Sequence, residues 1–128
     1  ILEILNKNGI AAKNSRILII GVSYKKNTND IRESAALKVI KLLLGLDIKI
    51  SYHDPYVPSI KIDGYQARSI ELNSENIKNH DLVVVFTDHD NIDYELIFNE
   101  AKLIFDTRNV FKNKTSPKLY TLGKGKNF

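Results

Sequence analysis

Three short stretches hold the side chains that could recognise an oxygen-rich, negatively charged ligand: Ser23-Tyr24-Lys25-Lys26, Asp30-Ile31-Arg32-Glu33 and Asp106-Thr107-Arg108-Asn109. Tyr24 offers a ring and a hydroxyl and Lys25 a movable ammonium, groups that suit a sugar or a phosphate. Lys25 and Lys26 also fit a plain pair of exposed loop charges. Arg108 follows an apolar segment, and its planar fork of donors suits phosphate or ribose oxygens. Arg32 stands near an expected helix start, where the helix end is already positive. An anionic ligand would relieve that repulsion, and so would a simple ion pair with Glu33.

Other polar residues carry a blander reading. Asp54 ends a strand, where a dinucleotide-binding domain keeps a ribose-binding acid, but Pro55 follows it and favours a turn-stabilising role. Asp106 reads as structural, tying loop amides. His89 lies between Asp88 and Asp90, yet no second histidine stands at metal-ligand spacing, so a polar turn after a strand is expected and no metal site. The chain has no cysteine, hence no thiol nucleophile and no disulfide framework. Neither Ser-His-Asp nor Cys-His can be assembled from order and spacing. No catalytic residue is assigned.

The elements around these stretches must position them. Ile17–Ile20 is a continuous apolar run closed by Gly21, which reads as a strand buried on both faces. A polar loop follows, then a helix over 33–45 with Asp30 and Glu33 as a capping box. Its inward stripe is Ala36, Leu37, Ile40, Leu43 and Leu44, with Leu42–Leu44 as its buried end and Lys38 and Lys41 facing water. Strands are expected over 47–53, 81–87 and 102–105, with a possible edge strand at 119–122. Short helices are expected over 74–79 and 94–100, and residues 58–64 read as loop with at most a short strand. Alternating strands and helices with short connections give an α/β fold: a Rossmann-like three-layer domain with a mostly parallel sheet of five or six strands. Residues 1–14 read as the end of a preceding helix and a linker, 15–122 as the binding domain, and 123–128 as a mobile tail.

Length and composition set limits. With 128 residues and 43% hydrophobic content, one core is expected and disorder is not. No apolar run approaches the ~20 residues of a membrane span, no signal-peptide pattern opens the chain, and a cytoplasmic location is the expectation. The formal net charge of +4 is spread along the chain. A nucleic-acid reader would concentrate it on one face with interleaved aromatics. Lys112–Lys126 forms the one dense basic cluster and reads as a solvated terminus. The chain opens at Ile1 and contains no methionine. It is therefore expected to be part of a longer protein that holds the reacting groups elsewhere.

A dinucleotide fingerprint would place G-x-G-x-x-G after the first strand. Here Gly21 stands alone, with Ser23 and Lys26 where the other glycines would sit, which argues against a nicotinamide cofactor bound there in the usual way. What the loop does carry, Gly21-Val22-Ser23-Tyr24-Lys25-Lys26-Asn27-Thr28-Asn29-Asp30-Ile31-Arg32-Glu33-Ser34-Ala35-Ala36, resembles a family signature. The UDP-glucose/GDP-mannose dehydrogenases open their C-terminal domain with G-x-[AS]-[FY]-K-x-x-[TI]-x-D-x-R-E-S-x-[AS]. Every fixed position is matched in order and without gaps. Ala35 stands where that family usually has proline. His53-Asp54-Pro55-Tyr56-Val57-Pro58, Phe86-Thr87-Asp88-His89 and Phe105-Asp106-Thr107-Arg108-Asn109 agree as well, and the first two look nearer to the N-acetyl-hexosamine branch than to the UDP-glucose branch.

The resemblance implies a nucleotide-sugar-binding domain of an NAD-dependent UDP-sugar 6-dehydrogenase that oxidises C6 of a UDP-hexose to the uronate for polysaccharide synthesis. It implies that Tyr24, Lys25 and Arg108 contact the UDP-sugar, and that Arg32 reaches an NAD held mainly by a domain outside this chain. It further implies N-terminal and central partner domains, with a cysteine nucleophile among them, and a homodimer or larger full-length assembly. The alternatives are a freestanding Rossmann-like nucleotide-binding module without activity, and a basic interaction domain acting through its lysine tail.

Overall fold

An unbroken apolar run such as Ile17–Ile20 is stable only in a strand covered on both faces. In the computed structural model, which describes residues 1–122, all four side chains are fully buried. In chain order the elements are α1 (Leu2–Lys7), β1 (Arg16–Ile20), α2 (Ala35–Leu44), β2 (Lys49–His53), β3 (Ser59–Ile62), β4 (Tyr65–Arg68), α3 (Ser74–Lys78), β5 (Leu82–Val85), α4 (Tyr94–Glu100), β6 (Ile104–Asp106) and β7 (Leu119–Thr121). One sheet has the order β2-β1-β5-β6-β7, and every pairing in it is parallel. This is the expected Rossmann-like α/β architecture with five strands.

The two-residue period of β1 divides the core into two layers. Ile17 and Ile19 meet Ile4, Ala36 and Ile40 of α1 and α2 on one face. Leu18 and Ile20 meet Ile77 and Ile97 of α3 and α4 on the other. The first helix thus belongs to this core through Ile4 and Leu5, both essentially inaccessible.

Several local expectations are corrected. Residues 58–64, expected as loop with at most a short strand, hold the short strand β3, which pairs with the unforeseen β4 as an antiparallel hairpin, Ser59 to Arg68, around Asp63-Gly64. Both turn residues have positive φ, 44° and 88°, as a tight hairpin turn requires. Helix α2 begins at Ala35 and not at residue 33, because Glu33 sits at φ 61°, outside helical geometry. Its N-cap is Ser34, whose Oγ accepts from the Leu37 amide. Asp30 and Glu33 therefore form no capping box. The end of α2 is only partly buried as well: Leu43 packs inward, but Leu42 is 70% exposed. The tail 123–128, expected to be mobile, lies outside the described residues.

His80, just past α3, is 3% exposed. Its Nδ1 lies 2.6 Å from the Asn76 carbonyl, while Nε2 has no hydrogen-bond partner among the described residues. Burial lowers its pKa below the ordinary histidine value, and the positive charges of Arg16 and Lys102 act in the same direction. A histidine held neutral in the fold favours the folded state above its unfolded pKa near 6.5. That advantage is lost as pH falls from there through the lowered native value. Urea unfolding between pH 7 and pH 5 should thus show stability declining with acid, and His80→Gln should flatten part of the decline. Parallel curves for the two proteins would contradict this.

Candidate functional site

From β1 the chain moves to β2 on one side, whereas β5 and β6 extend the sheet on the other. The strand order reverses between β1 and β5, and the carboxyl ends there form the crevice where parallel α/β sheets bind ligands. Loops 21–34, 86–93 and 107–118 leave the sheet at this end. Every candidate residue lies in one of them.

Gly21 makes the first turn. Its φ is 83°, its amide donates to the His53 carbonyl at 2.9 Å, and a Cβ added there would collide with the backbone and Cβ of Thr87. The strand end therefore passes against the end of β5 with only glycine able to fit. Beyond it the loop folds on itself: the Tyr24 amide donates to the Asp30 carbonyl at 2.6 Å, and Ser34 Oγ donates to the Val22 carbonyl at 2.7 Å.

Tyr24 and Arg32 line one recess of about 430 Å³ together with Asp30 and Glu33. Tyr24 is 53% exposed at its mouth. The ion partner of Arg32 is Asp30, not Glu33: Nε and Nη2 reach the two carboxylate oxygens at 3.0 and 2.9 Å. These bonds hold the Asp30 pKa down at about 2. Arg32 stands outside the helix, before the Ser34 cap, so its positive charge is already answered by Asp30. Lys25 is exposed, its ammonium makes no hydrogen bond among the described residues, and its charge also favours the ionised Asp30. Lys26 pairs loosely with Asp90 at 3.7 Å, which is the plain surface role.

Arg108 lines a different groove, of about 880 Å³, with Phe86, Thr107 and the exposed Leu42 and Leu46. Its Nε donates to the Phe86 carbonyl at 2.7 Å. The side chain is otherwise exposed. Asp106 is 1% exposed, and its two oxygens accept from the Arg108 and Phe111 amides at 3.0 and 2.9 Å. Its structural role follows directly. The four candidates thus share one end of the sheet but not one cavity.

Asp54 is likewise spent on structure. Oδ1 accepts from the Tyr56 amide at 2.8 Å, and Oδ2 from the Val22 amide at 2.8 Å and His89 Nε2 at 2.9 Å. Both oxygens are bonded within the fold and the carboxylate is buried away from any ribose, so the turn-stabilising reading fits. Tyr52 pins the same turn: its hydroxyl donates to the Val57 carbonyl at 2.8 Å, and burial pushes its pKa up to about 12.

Spacing concealed one constellation. Ser23, Asp54 and His89, far apart in sequence, converge in a buried cluster, with Ser23 Oγ 3.3 Å from His89 Nε2. This is no hydrolytic triad. Serine and aspartate crowd the same ring nitrogen, and the Ser23 proton goes to the Lys25 carbonyl at 2.8 Å. Among the described residues no three His, Asp or Glu side chains gather as metal ligands.

Fold and crevice together define a Rossmann-like α/β domain whose switch-point loops present Tyr, Lys and Arg in place of a glycine cradle. Residues 18–113 match the model of the UDP-glucose/GDP-mannose dehydrogenase family, UDP binding domain, and the chain belongs to that family. It is 34% identical over 124 residues to the UDP-N-acetyl-D-mannosamine dehydrogenase of Methanocaldococcus jannaschii, covering 88% of this chain and 28% of that protein. It is 29% identical over 115 residues to the UDP-glucose 6-dehydrogenase of Rickettsia conorii, covering 84% of this chain and 27% of that protein. The UDP-D-ManNAc dehydrogenase of Pyrococcus horikoshii superposes with a TM-score of 0.77 at 25% identity, over 99% of this chain and 29% of that one. The chain therefore spans less than a third of the length of these relatives. Among the described residues no helix is long and apolar enough to cross a membrane.

Proposed function

We propose that the chain is the nucleotide-sugar-binding part of an NAD-dependent UDP-sugar 6-dehydrogenase, with an N-acetylated UDP-hexosamine as the preferred substrate and UDP-glucose as the alternative. The observation that carries this is the family motif folded at the switch point, with Tyr24, Lys25 and Arg108 presented from loops after β1 and β6. In this reading Tyr24 lies against the sugar or base, Lys25 neutralises a phosphate oxygen and Arg108 offers its remaining N–H groups to the nucleotide. Higher identity to the N-acetylmannosamine dehydrogenase, 34% against 29%, supports the choice of sugar.

The loop after β1 does not fit an NAD pyrophosphate. Ser23 is 3% exposed and Lys26 bulky where a dinucleotide loop needs glycine. We therefore assign the cofactor to another part of the full-length enzyme. Arg32, already held by Asp30, extends its remaining N–H groups toward it. The reacting groups, a cysteine among them, belong to domains outside this chain, and a homodimer or larger assembly is the expected full-length state.

The test separates two basic residues of one motif. In the complete enzyme, Lys25→Ala should raise KM for the UDP-sugar about 10- to 100-fold and leave KM for NAD nearly unchanged. Arg32→Ala should do the reverse, toward the lower end of that range because Asp30 already occupies two of its donors. Steady-state kinetics varying each substrate in turn decides the matter. An Arg32→Ala enzyme impaired only toward the sugar refutes the division of roles. Changes below ~0.5 kcal/mol in both would mark plain surface charges.

A further inference from the structure

Loop 23–30, which carries Tyr24 and Lys25, has no regular secondary structure of its own. Such a loop samples many conformations unless specific bonds select one. The bonds that select this one converge on His89. Its side chain is fully buried, and its Nδ1 lies 2.7 Å from the Asn27 backbone amide, at the apex of the loop. An amide N–H can only donate, so Nδ1 is the acceptor and the ring proton sits on Nε2. Nε2–H in turn donates to Asp54 Oδ2 at 2.9 Å. The Tyr56 ring packs against the imidazole at 4.8 Å between centroids, and the Tyr94 hydroxyl donates to the His89 carbonyl at 2.7 Å.

We propose that His89 is a positioning residue for nucleotide-sugar binding: the Asp54–His89–Asn27 chain of hydrogen bonds fixes the loop in the conformation that presents Tyr24 and Lys25. This inference rests on the proposed function of that loop. A buried aromatic in the same volume would serve the core equally well, but only a side chain with a second-row acceptor at the Nδ1 position holds the Asn27 amide. Asn27 itself is at φ 60°, a conformation that a short polar residue tolerates when its surroundings hold it. Its side chain completes the clamp, donating to Asp90 Oδ2 at 2.7 Å and accepting from the Asp90 amide at 3.0 Å. Asp54 closes the relay at the root of the loop, because the same Oδ2 also accepts the Val22 amide. One carboxylate oxygen thereby ties together the loop's origin and, through the imidazole, its apex.

Amide side chains can imitate one ring nitrogen at a time. In His89→Asn the side-chain oxygen stands near the place of Nδ1 and can still accept from Asn27. In His89→Gln the longer amide reaches toward Asp54 and leaves the Asn27 amide without its acceptor. In the complete enzyme His89→Gln is expected to raise KM for the UDP-sugar ~10-fold, with kcat and KM for NAD within ~2-fold of the parent. His89→Asn should restore KM for the UDP-sugar to within ~3-fold. Equal losses in the two variants, or losses that follow the melting temperature instead of the acceptor, overturn the proposal. A measurement on the unaltered chain stands independently of whether the variants fold. Nitrogen-15 NMR should show the His89 ring proton on Nε2 and slow hydrogen exchange at the Asn27 amide. A proton on Nδ1, or an Asn27 amide exchanging as fast as an open loop, overturns it equally. Lys25→Ala serves as the control: if that variant leaves KM for the UDP-sugar unchanged, the loop's proposed function fails. If Lys25→Ala has its effect and the His89 pair does not, the positioning role alone fails.

Discussion

Gly21→Ala should cost the chain about 2–5 kcal/mol of stability, whereas Gly64→Ala, at almost the same backbone angle, should cost only about 1 kcal/mol. The φ values are 83° and 88°, so the penalty for placing a Cβ in the left-handed region is shared. What differs is space. A Cβ on Gly64 meets nothing within 4 Å, because it projects from a hairpin turn into solvent. A Cβ on Gly21 runs into the backbone of Thr87, which is part of the packed junction between β1 and β5 and has no freedom to move aside. Urea unfolding of the two variants, analysed as a two-state transition, measures both losses. Equal losses would mean that backbone conformation, not the close approach of two strand ends, explains why glycine stands at position 21. The same approach sets the path of the loop beyond it, so Gly21→Ala should also disturb UDP-sugar binding in any protein that still folds.

The parallel sheet was legible because its strands are buried on both faces. Ile17–Ile20 and Leu82–Val85 are uninterrupted β-branched and leucine runs, and no helix among the described residues has that composition. The hairpin at 59–68 was missed although its signal is present: Asp63-Gly64 is flanked by Ile60, Ile62, Tyr65 and Ala67 in alternation. Pro58 and the short, half-exposed strands made loop the more natural reading. Leu42 was misplaced for a different reason. The run Leu42–Leu44 reads as one apolar end, but neighbours in a helix do not share a face, and the inward stripe through Leu43 leaves Leu42 on the surface.

Near the crevice, spacing identified residues but not their pairings. Arg32 and Glu33 are adjacent and looked like partners. Glu33 stands at positive φ and forms no such pair, whereas Asp30 bonds Nε and Nη2 of the guanidinium. A single residue at positive φ is invisible in composition, and it also moves the helix start to Ala35, with Ser34 as the cap. His89 reads in the sequence as part of a polar turn because no second histidine stands at ligand spacing. Its partners are Asp54 and Asn27, 35 and 62 positions away, and only the parallel pairing of β1 with both β2 and β5 brings them together. Tertiary contacts of this kind leave no local period to read.

Asp106 and Arg108, two residues apart, should respond to substitution in opposite ways. Asp106→Ala removes a buried carboxylate that two backbone amides share, those of Arg108 and Phe111. Each bond to a charged acceptor contributes about 1.5–3 kcal/mol, and the Phe111 amide would be left buried without a partner. The expected loss is about 3 kcal/mol, with Asp106→Asn intermediate because it keeps one acceptor. Arg108→Ala removes an exposed side chain whose one internal bond goes to the Phe86 carbonyl, so its stability cost should stay below about 1 kcal/mol. Ligand affinity should show the reverse order of directness. Arg108→Ala should weaken UDP-sugar binding by the complete enzyme about 10- to 100-fold, the equivalent of one charge-assisted hydrogen bond. Asp106→Ala should weaken it only as far as the loosened loop misplaces Arg108, and raising stability with an osmolyte should recover part of that loss but none of the loss in Arg108→Ala. Urea unfolding and calorimetric titration with UDP-sugar measure the two quantities separately. If Arg108→Ala destabilises as much as Asp106→Ala while binding stays intact, Arg108 is a structural strut and the contact to the nucleotide must come from elsewhere.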